Sequence, residues 1–181
     1  LASTSQFTMS TFRVPRDLEY INMPECALFD SGTITQLTGE HVSEDGRCIL
    51  IDDMVIAVAY GGMTEYTFPE GVKALGKQCC RFGYNNKIEK LVIPEGVEDI
   101  LDEAFIGSPD FTSLKYVALP STLKTIGAYA FAYTSRTVET FDGDNEFVTA
   151  DNKGIVVDDY AFGLKTLVAY ASACDDTEYT I

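Results

Sequence analysis

The chain has 181 residues, with 28 acidic against 13 basic side chains, one histidine and no tryptophan, for a net charge of −15. That length holds one domain or two small ones with an ordinary core, and 46% hydrophobic with 23% charged residues reads as a folded, soluble chain. The negative balance argues against nucleic acid and anionic lipid as partners, because both are held by Lys and Arg.

The chain opens Leu-Ala-Ser-Thr-Ser-Gln, polar and small, with no basic segment leading into an apolar stretch, so no signal peptide is expected in it. Residues 1–33 are expected to form an N-terminal cap or a degenerate repeat, with a weak apolar pattern of Leu18, Ile21 and Met23 before Pro24. Next comes Ile34-x-x-Leu37-x-Gly39, and then a strand–turn–strand near 45–60, with strands at 49–51 and 55–59 and a turn at Asp52-Asp53. The longest apolar stretch, 54–63, is half of what a bilayer span requires and contains two glycines, so no membrane insertion is expected.

Three segments then align without gaps. Residues 68–80 read Phe-Pro-Glu-Gly-Val-Lys-Ala-Leu-Gly-Lys-Gln-Cys-Cys, and 93–105 read Ile-Pro-Glu-Gly-Val-Glu-Asp-Ile-Leu-Asp-Glu-Ala-Phe. The third, 119–131, reads Leu-Pro-Ser-Thr-Leu-Lys-Thr-Ile-Gly-Ala-Tyr-Ala-Phe. Their prolines at 69, 94 and 120 are spaced by 25 and 26 residues. Apolar residues stand six, three and one positions before each proline: Met63, Tyr66, Phe68; Ile88, Leu91, Ile93; Leu114, Val117, Leu119. The last two positions have the period of a strand with one buried face, and the proline ends that strand because it cannot donate to a ladder. A second apolar pair follows at Val72/Leu75, Val97/Ile100 and Leu123/Ile126, and Ala-Phe at 104/105 and 130/131 can plug the core. A unit of this size cannot bury its own apolar face, so the units must stack into a solenoid.

A longer period lies in the flanks. Val138-x-x-Phe141-x-Gly143 repeats 34–39, and Gly154-Ile-Val-Val-Asp-Asp repeats Cys48-Ile-Leu-Ile-Asp-Asp. Ala169-Tyr170 is matched with Ala59-Tyr60, and 177–181 (Thr-Glu-Tyr-Thr-Ile) with 64–68. The second hairpin is therefore expected near 151–170, with strands at 155–157 and 165–169 and a longer turn from Asp158 to Leu164.

These motifs resemble the BspA-type leucine-rich repeat, best at 117–131 and nearly as well at 91–105; at 79–80 two cysteines replace Ala-Phe. The resemblance implies a leucine-rich-repeat solenoid over 34–181, mainly β with short turns or helical plugs. Its stacked parallel strands would be interrupted by the two hairpins. It also implies an exported protein of the cell surface or periplasm, in a family that includes adhesins and has no catalytic motif of its own. No enzymatic activity, cofactor or metal is expected.

The side chains between the buried strand positions form the candidate binding face: Glu65 and Thr67, Lys90 and Val92, Tyr116 and Ala118. A protein or glycan ligand is the expected partner, with Tyr116 the residue of hot-spot character. A ligand-free spacer is the alternative. A carboxylate hydrolase built on Asp52-Asp53 and Asp158-Asp159 is a third reading, weakened because adjacent turn residues point apart.

Other candidates have blander readings. His41 is expected to be a solvated loop histidine. Cys79 and Cys80 occupy core slots of the repeat and are expected to pack there, their undersized plug filled by Phe82. The acidic run 142–146 lacks the spacing of a calcium loop and reads as a polar turn. The five cysteines, at 26, 48, 79, 80 and 174, show no metal-ligand spacing.

Overall fold

The short strands follow from the pattern apolar–x–x–apolar–x–apolar–Pro. A three-residue strand buries its middle side chain, turns two outward, and is stopped by the proline. In the computed structural model, which describes residues 11–13, 33–83, 86–159 and 164–171, thirteen strands of two to seven residues occur. They are β1 (Thr11–Arg13), β2 (Gln36–Thr38), β3 (Cys48–Ile51), β4 (Met54–Val58), β5 (Glu65–Thr67), β6 (Ala74–Leu75) and β7 (Lys90–Val92). After them come β8 (Asp99–Ile100), β9 (Tyr116–Ala118), β10 (Thr125–Ile126), β11 (Thr140–Asp142), β12 (Gly154–Asp159) and β13 (Leu164–Tyr170).

The chain coils as a β-solenoid with two parallel ladders. One sheet has the order β11-β9-β7-β5, and the other β10-β8-β6-β4-β3. The second apolar pairs of the repeat build the latter: Val55, Leu75, Ile100 and Ile126 stand in register across β4, β6, β8 and β10. The turn carrying the plugs adds a third set of rungs, in which the Cys80 N–H donates to the Ala104 carbonyl at 2.9 Å and the Phe105 N–H to the Ala130 carbonyl at 2.8 Å. Cys80, Phe105 and Phe131 therefore hold one slot in successive coils, all fully buried.

Aromatic rings run along the axis. Tyr66 meets Phe68 at 5.2 Å, Phe68 meets Phe105 at 6.3 Å, Phe105 stacks on Phe131 at 5.0 Å, and Phe131 meets Phe141 edge-on at 5.4 Å. Where Cys80 leaves the slot small, Phe82 is buried nearby, 4.8 Å from Phe111 and 5.2 Å from Tyr60.

Both hairpins form, β3 with β4 and β12 with β13, each with one irregularity in register, at Ile49/Leu50 and at Ile155/Val156. The first is no mere interruption: β4 is the founding strand on which β6 pairs in parallel. Its residues are buried on both faces, with Cys48, Val55 and Val58 in the main core and Ile49, Ile56 and Ala57 in a smaller one with Ile34 and Leu37. Burial on both sides explains its near-continuous apolar sequence.

The long period is a duplication of local geometry. Ser43 and Thr149 accept from the N–H of Cys48 and Gly154, both at 2.8 Å, while Asp45 and Asp151 accept from the N–H of Arg47 and Lys153. The pairing corrects one alignment. Cys48 pairs with Val58 and Gly154 with Tyr170, so Ala59 corresponds to Ala171, two residues beyond the Ala169 chosen from sequence. β12 also runs on through Asp158 and Asp159, which the sequence reading gave to the turn.

At the other end, β1 pairs with β2 in the manner of β9 with β11. The strand is followed in sequence by Val14-Pro15, so Met9, Phe12, Val14 and Pro15 also carry the spacing of the repeat. The pattern Leu18, Ile21, Met23, Pro24, the copy at 177–181, Cys26, Cys174 and the turn residues 160–163 lie outside the described residues.

Candidate functional site

Register places the candidate face in two straight rows. Glu65, Lys90, Tyr116 and Thr140 are successive partners across β5, β7, β9 and β11, as are Thr67, Val92, Ala118 and Asp142. The middle residues Tyr66, Leu91, Val117 and Phe141 are buried, so both rows face outward. Glu65, Thr67 and Asp142 are exposed, and Lys90, Val92, Tyr116 and Ala118 half-exposed. β11 extends the face beyond the six residues read from sequence. Its signal was present in the Val138/Phe141 spacing, but Gly143 stands where the last apolar residue would be and Asp144 where the proline would be.

The rows are laced together. Lys90 Nζ lies 4.0 Å from Glu65 Oε2 and 5.5 Å from the centre of the Tyr116 ring, whose hydroxyl donates to Asp142 Oδ2. That hydrogen bond, with a smaller contribution from desolvation, pushes the Tyr116 phenol up to about 12, so the residue stays a neutral donor at physiological pH. An exposed ion pair and cation–π contact of this kind contribute about 0–1 kcal/mol each. Their effect is to fix where the charged and aromatic groups stand.

The opposite sheet carries a second outward ladder. Glu98 lies between two lysines, 3.9 Å from Lys73 Nζ and 2.6 Å from Lys124 Nζ, and the Thr125 hydroxyl donates to Asp99 Oδ1 at 2.6 Å. The Lys124 bond holds the Glu98 carboxyl below its usual range and the lysine above its own. Glu95 accepts from both the N–H and the hydroxyl of Ser121, at 2.9 Å each, which also lowers its pKa.

The remaining candidates resolve into structure. His41 is half-buried rather than solvated, and its carbonyl accepts from Leu50 N–H at 2.7 Å, as the Phe147 carbonyl accepts from Val156 N–H at 2.9 Å. It thus occupies the slot of a buried phenylalanine. Cys79 and Cys80 are buried free thiols with Sγ atoms 3.4 Å apart. The Cys48 thiol, 2.9 Å from the Tyr66 hydroxyl, is pushed up by burial and stays protonated, the opposite of a nucleophilic thiolate. Tyr66 in turn donates to Asp45 Oδ2 at 3.0 Å, a part-buried link that sequence spacing did not reveal.

In the acidic run, Asn145 Oδ1 accepts from the N–H groups of Phe147 and Val148, and its amide donates to the Pro120 carbonyl at 3.1 Å. These are the bonds of an Asx turn. No group of three or more His, Cys, Asp or Glu side chains suited to a metal occurs among the described residues. Asp52 adopts a left-handed conformation (φ 51°) at its hairpin tip, and Asp158 pairs with Lys165 at 3.5 Å. No described helix is long and apolar enough to cross a membrane.

A family model described as BspA type leucine-rich repeat region matches residues 59–162 in 6 copies, more than half of the chain. Neither a curated protein nor a solved structure matches it.

Proposed function

The chain belongs to the BspA-type leucine-rich repeat family, and from that membership we propose that it is an interaction module binding a protein or glycan through the face of β5, β7, β9 and β11. The fold is one used typically as an interaction scaffold rather than an enzyme, and the family is generally extracytoplasmic or surface-associated. An exported location is part of the proposal.

The observation that carries the reading is the pinned row Glu65–Lys90–Tyr116 with Asp142. A tyrosine held by a carboxylate and covered by an ammonium has surrendered its rotamer freedom before a ligand arrives, so less entropy is lost on binding. The flat rows beside it, Thr67, Val92 and Ala118, leave room for a partner to approach the ring.

The test is a binding panel of extracellular-matrix proteins and glycans, with surface proteolysis of intact cells to locate the native protein. Tyr116→Ala is expected to weaken an authentic ligand by at least about tenfold, as for a central aromatic anchor. Binding that survives Tyr116→Ala and Lys90→Ala together would reject this face. A panel in which neither the native protein nor this chain binds anything would reject the module.

A further inference from the structure

The two-strand rungs of the second sheet repeat one hydrogen-bond pattern. Lys73 and Ala74 donate their N–H groups to the Asp53 carbonyl, Glu98 and Asp99 to that of Lys73, and Lys124 and Thr125 to that of Glu98, all at 2.7–3.2 Å. Three residues on, Gly76 donates to Val55, Leu101 to Leu75, and Gly127 to Ile100, at 2.7–2.9 Å. The next acceptors in the two series are the carbonyls of Lys124, just before β10, and of Ile126 on β10, the edge strand of its sheet. Among the described residues no donor reaches either.

The ladder stops there because the chain leaves β11 for the second hairpin. Phe147 and Val148 turn to β12 instead, with Val156 N–H on the Phe147 carbonyl and Val148 bridging Ile155. Between β10 and the hairpin lies a groove of about 220 Å³ whose lining includes Lys124, Ile126, Glu146, Phe147, Asp158 and Lys165. That is below the ~300–1,000 Å³ of sites for drug-sized ligands, and its apolar lining, Ile126, Phe147 and Val156, lies beside the edge strand β10 among charged side chains. Edges of this kind accept an extended chain by main-chain hydrogen bonding.

We propose that this groove receives an extended, acidic peptide segment of a partner protein, added parallel to β10 as the next rung of the sheet. Main-chain N–H groups two in a row, then one two residues later, meet the Lys124 and Ile126 carbonyls. Charge selects the sequence. The outward ladder alternates Lys73, Glu98, Lys124, so the next residue in line is a carboxylate, which shares Lys124 with Glu98 as Glu98 already shares itself between two lysines. Thr125, the partner of Asp99, takes a polar residue, and Ile126 takes an aliphatic one over Phe147 and Val156. The recognised segment reads acidic–polar–aliphatic. It is distinct from the face of β5, β7, β9 and β11.

The probe is the capped heptapeptide Gly-Val-Glu-Asp-Ile-Leu-Asp, the sequence of 96–102, titrated into the labelled full chain. The carbonyl resonances of Lys124 and Ile126 are expected to shift most, with the amides of 156–158 following. Lys124→Glu is expected to weaken binding about fivefold, the effect of one exposed ion pair, and the peptide with Lys in place of its Glu is expected to restore it. On the unaltered chain the same Lys peptide is expected to bind about fivefold less well, a comparison that needs no variant to fold. The proposal is overturned if millimolar peptide leaves the two carbonyls unmoved or a scrambled peptide binds equally. It is also overturned if β10 instead pairs with a second copy of the chain, seen as a concentration-dependent dimer that the peptide does not dissociate.

Discussion

Replacing Phe131 with alanine tests the stacked-slot architecture where it is most exacting. The ring is fully buried, stacks on Phe105 at 5.0 Å and meets Phe141 edge-on at 5.4 Å. A buried phenylalanine removes about 150–200 Å² from water, or about 4–5 kcal/mol at about 25 cal/mol per Å². Alanine retains a fraction of that, while the two lost ring contacts and the residual cavity add to the cost, giving about 4 kcal/mol in all. Cys80→Ala, in the same slot one coil beyond Phe105, removes only a sulfur and is expected to cost about 1 kcal/mol. Urea unfolding followed by circular dichroism suits a chain without tryptophan, and native-state hydrogen exchange locates the loss. In a solenoid each coil contacts only its neighbours, so protection should fall over β8–β11 and hold in β3 and β4. A cost under about 1 kcal/mol for Phe131→Ala, equal costs at the two sites, or a uniform loss of protection reaching β3 would refute the reasoning.

Other positions give independent readouts. Tyr66→Phe deletes the hydroxyl that donates to Asp45 and touches Cys48, and should cost about 1–2 kcal/mol in urea unfolding; an unchanged midpoint would show the link to be idle. Gly127→Ala drives a Cβ to 2.4 Å from the Asp102 backbone nitrogen, and should cost about 1–3 kcal/mol through overpacking. Gly71→Ala meets open space but sits at φ +84°, so about 1 kcal/mol of backbone strain is its only cost, and the order of the two melting temperatures checks the distinction. Tyr116 has its phenol raised to about 12 by Asp142, so its small contribution is complete below the unfolded value near 10 and is lost between there and about 12. Tyr116→Phe should remove one tyrosinate transition near pH 12 from the ultraviolet titration; loss of one near 10 would contradict the hydrogen bond.

The sequence made the stacked strands legible because their signals are local and thrice repeated. Tyr66, Leu91 and Val117 each carry the same flanks and the same terminating proline, and register follows from that spacing. Upstream the same rule is ambiguous. Met9, Phe12 and Val14 before Pro15 satisfy it as well as Leu18, Ile21 and Met23 before Pro24, and the pairing of β1 with β2 is what supports the first pattern. The second sheet was visible as apolar pairs such as Val97/Ile100 but not as strands, because two residues are too few to show a period. In the candidate face, the six outward residues were readable from alternation, whereas Asp142 was not: its bond to Tyr116 is diagonal, between residues on neighbouring strands that are not direct partners. The Asp45–Tyr66–Cys48 link was hidden for a similar reason, since it joins a hairpin loop to a strand on another wall of the coil.

The near-constant step between rungs also governs how the chain can assemble. Pairing such as Leu91 with Val117 or Ile100 with Ile126 ties residues one coil apart, and cross-coil hydrogen bonds join residues about 25 apart, as in Glu95 with Ser121 at 26. Closing a loop costs entropy that grows only with the logarithm of its length, so each added coil meets nearly the same toll as the one before. The first hairpin, whose strands are separated by two residues, closes a far shorter loop and already presents the edge of β4. A parallel sheet ordinarily waits on distant segments to find one another. Here paired strands lie about one coil apart, so growth is expected to run as a zipper from a seed built into the chain.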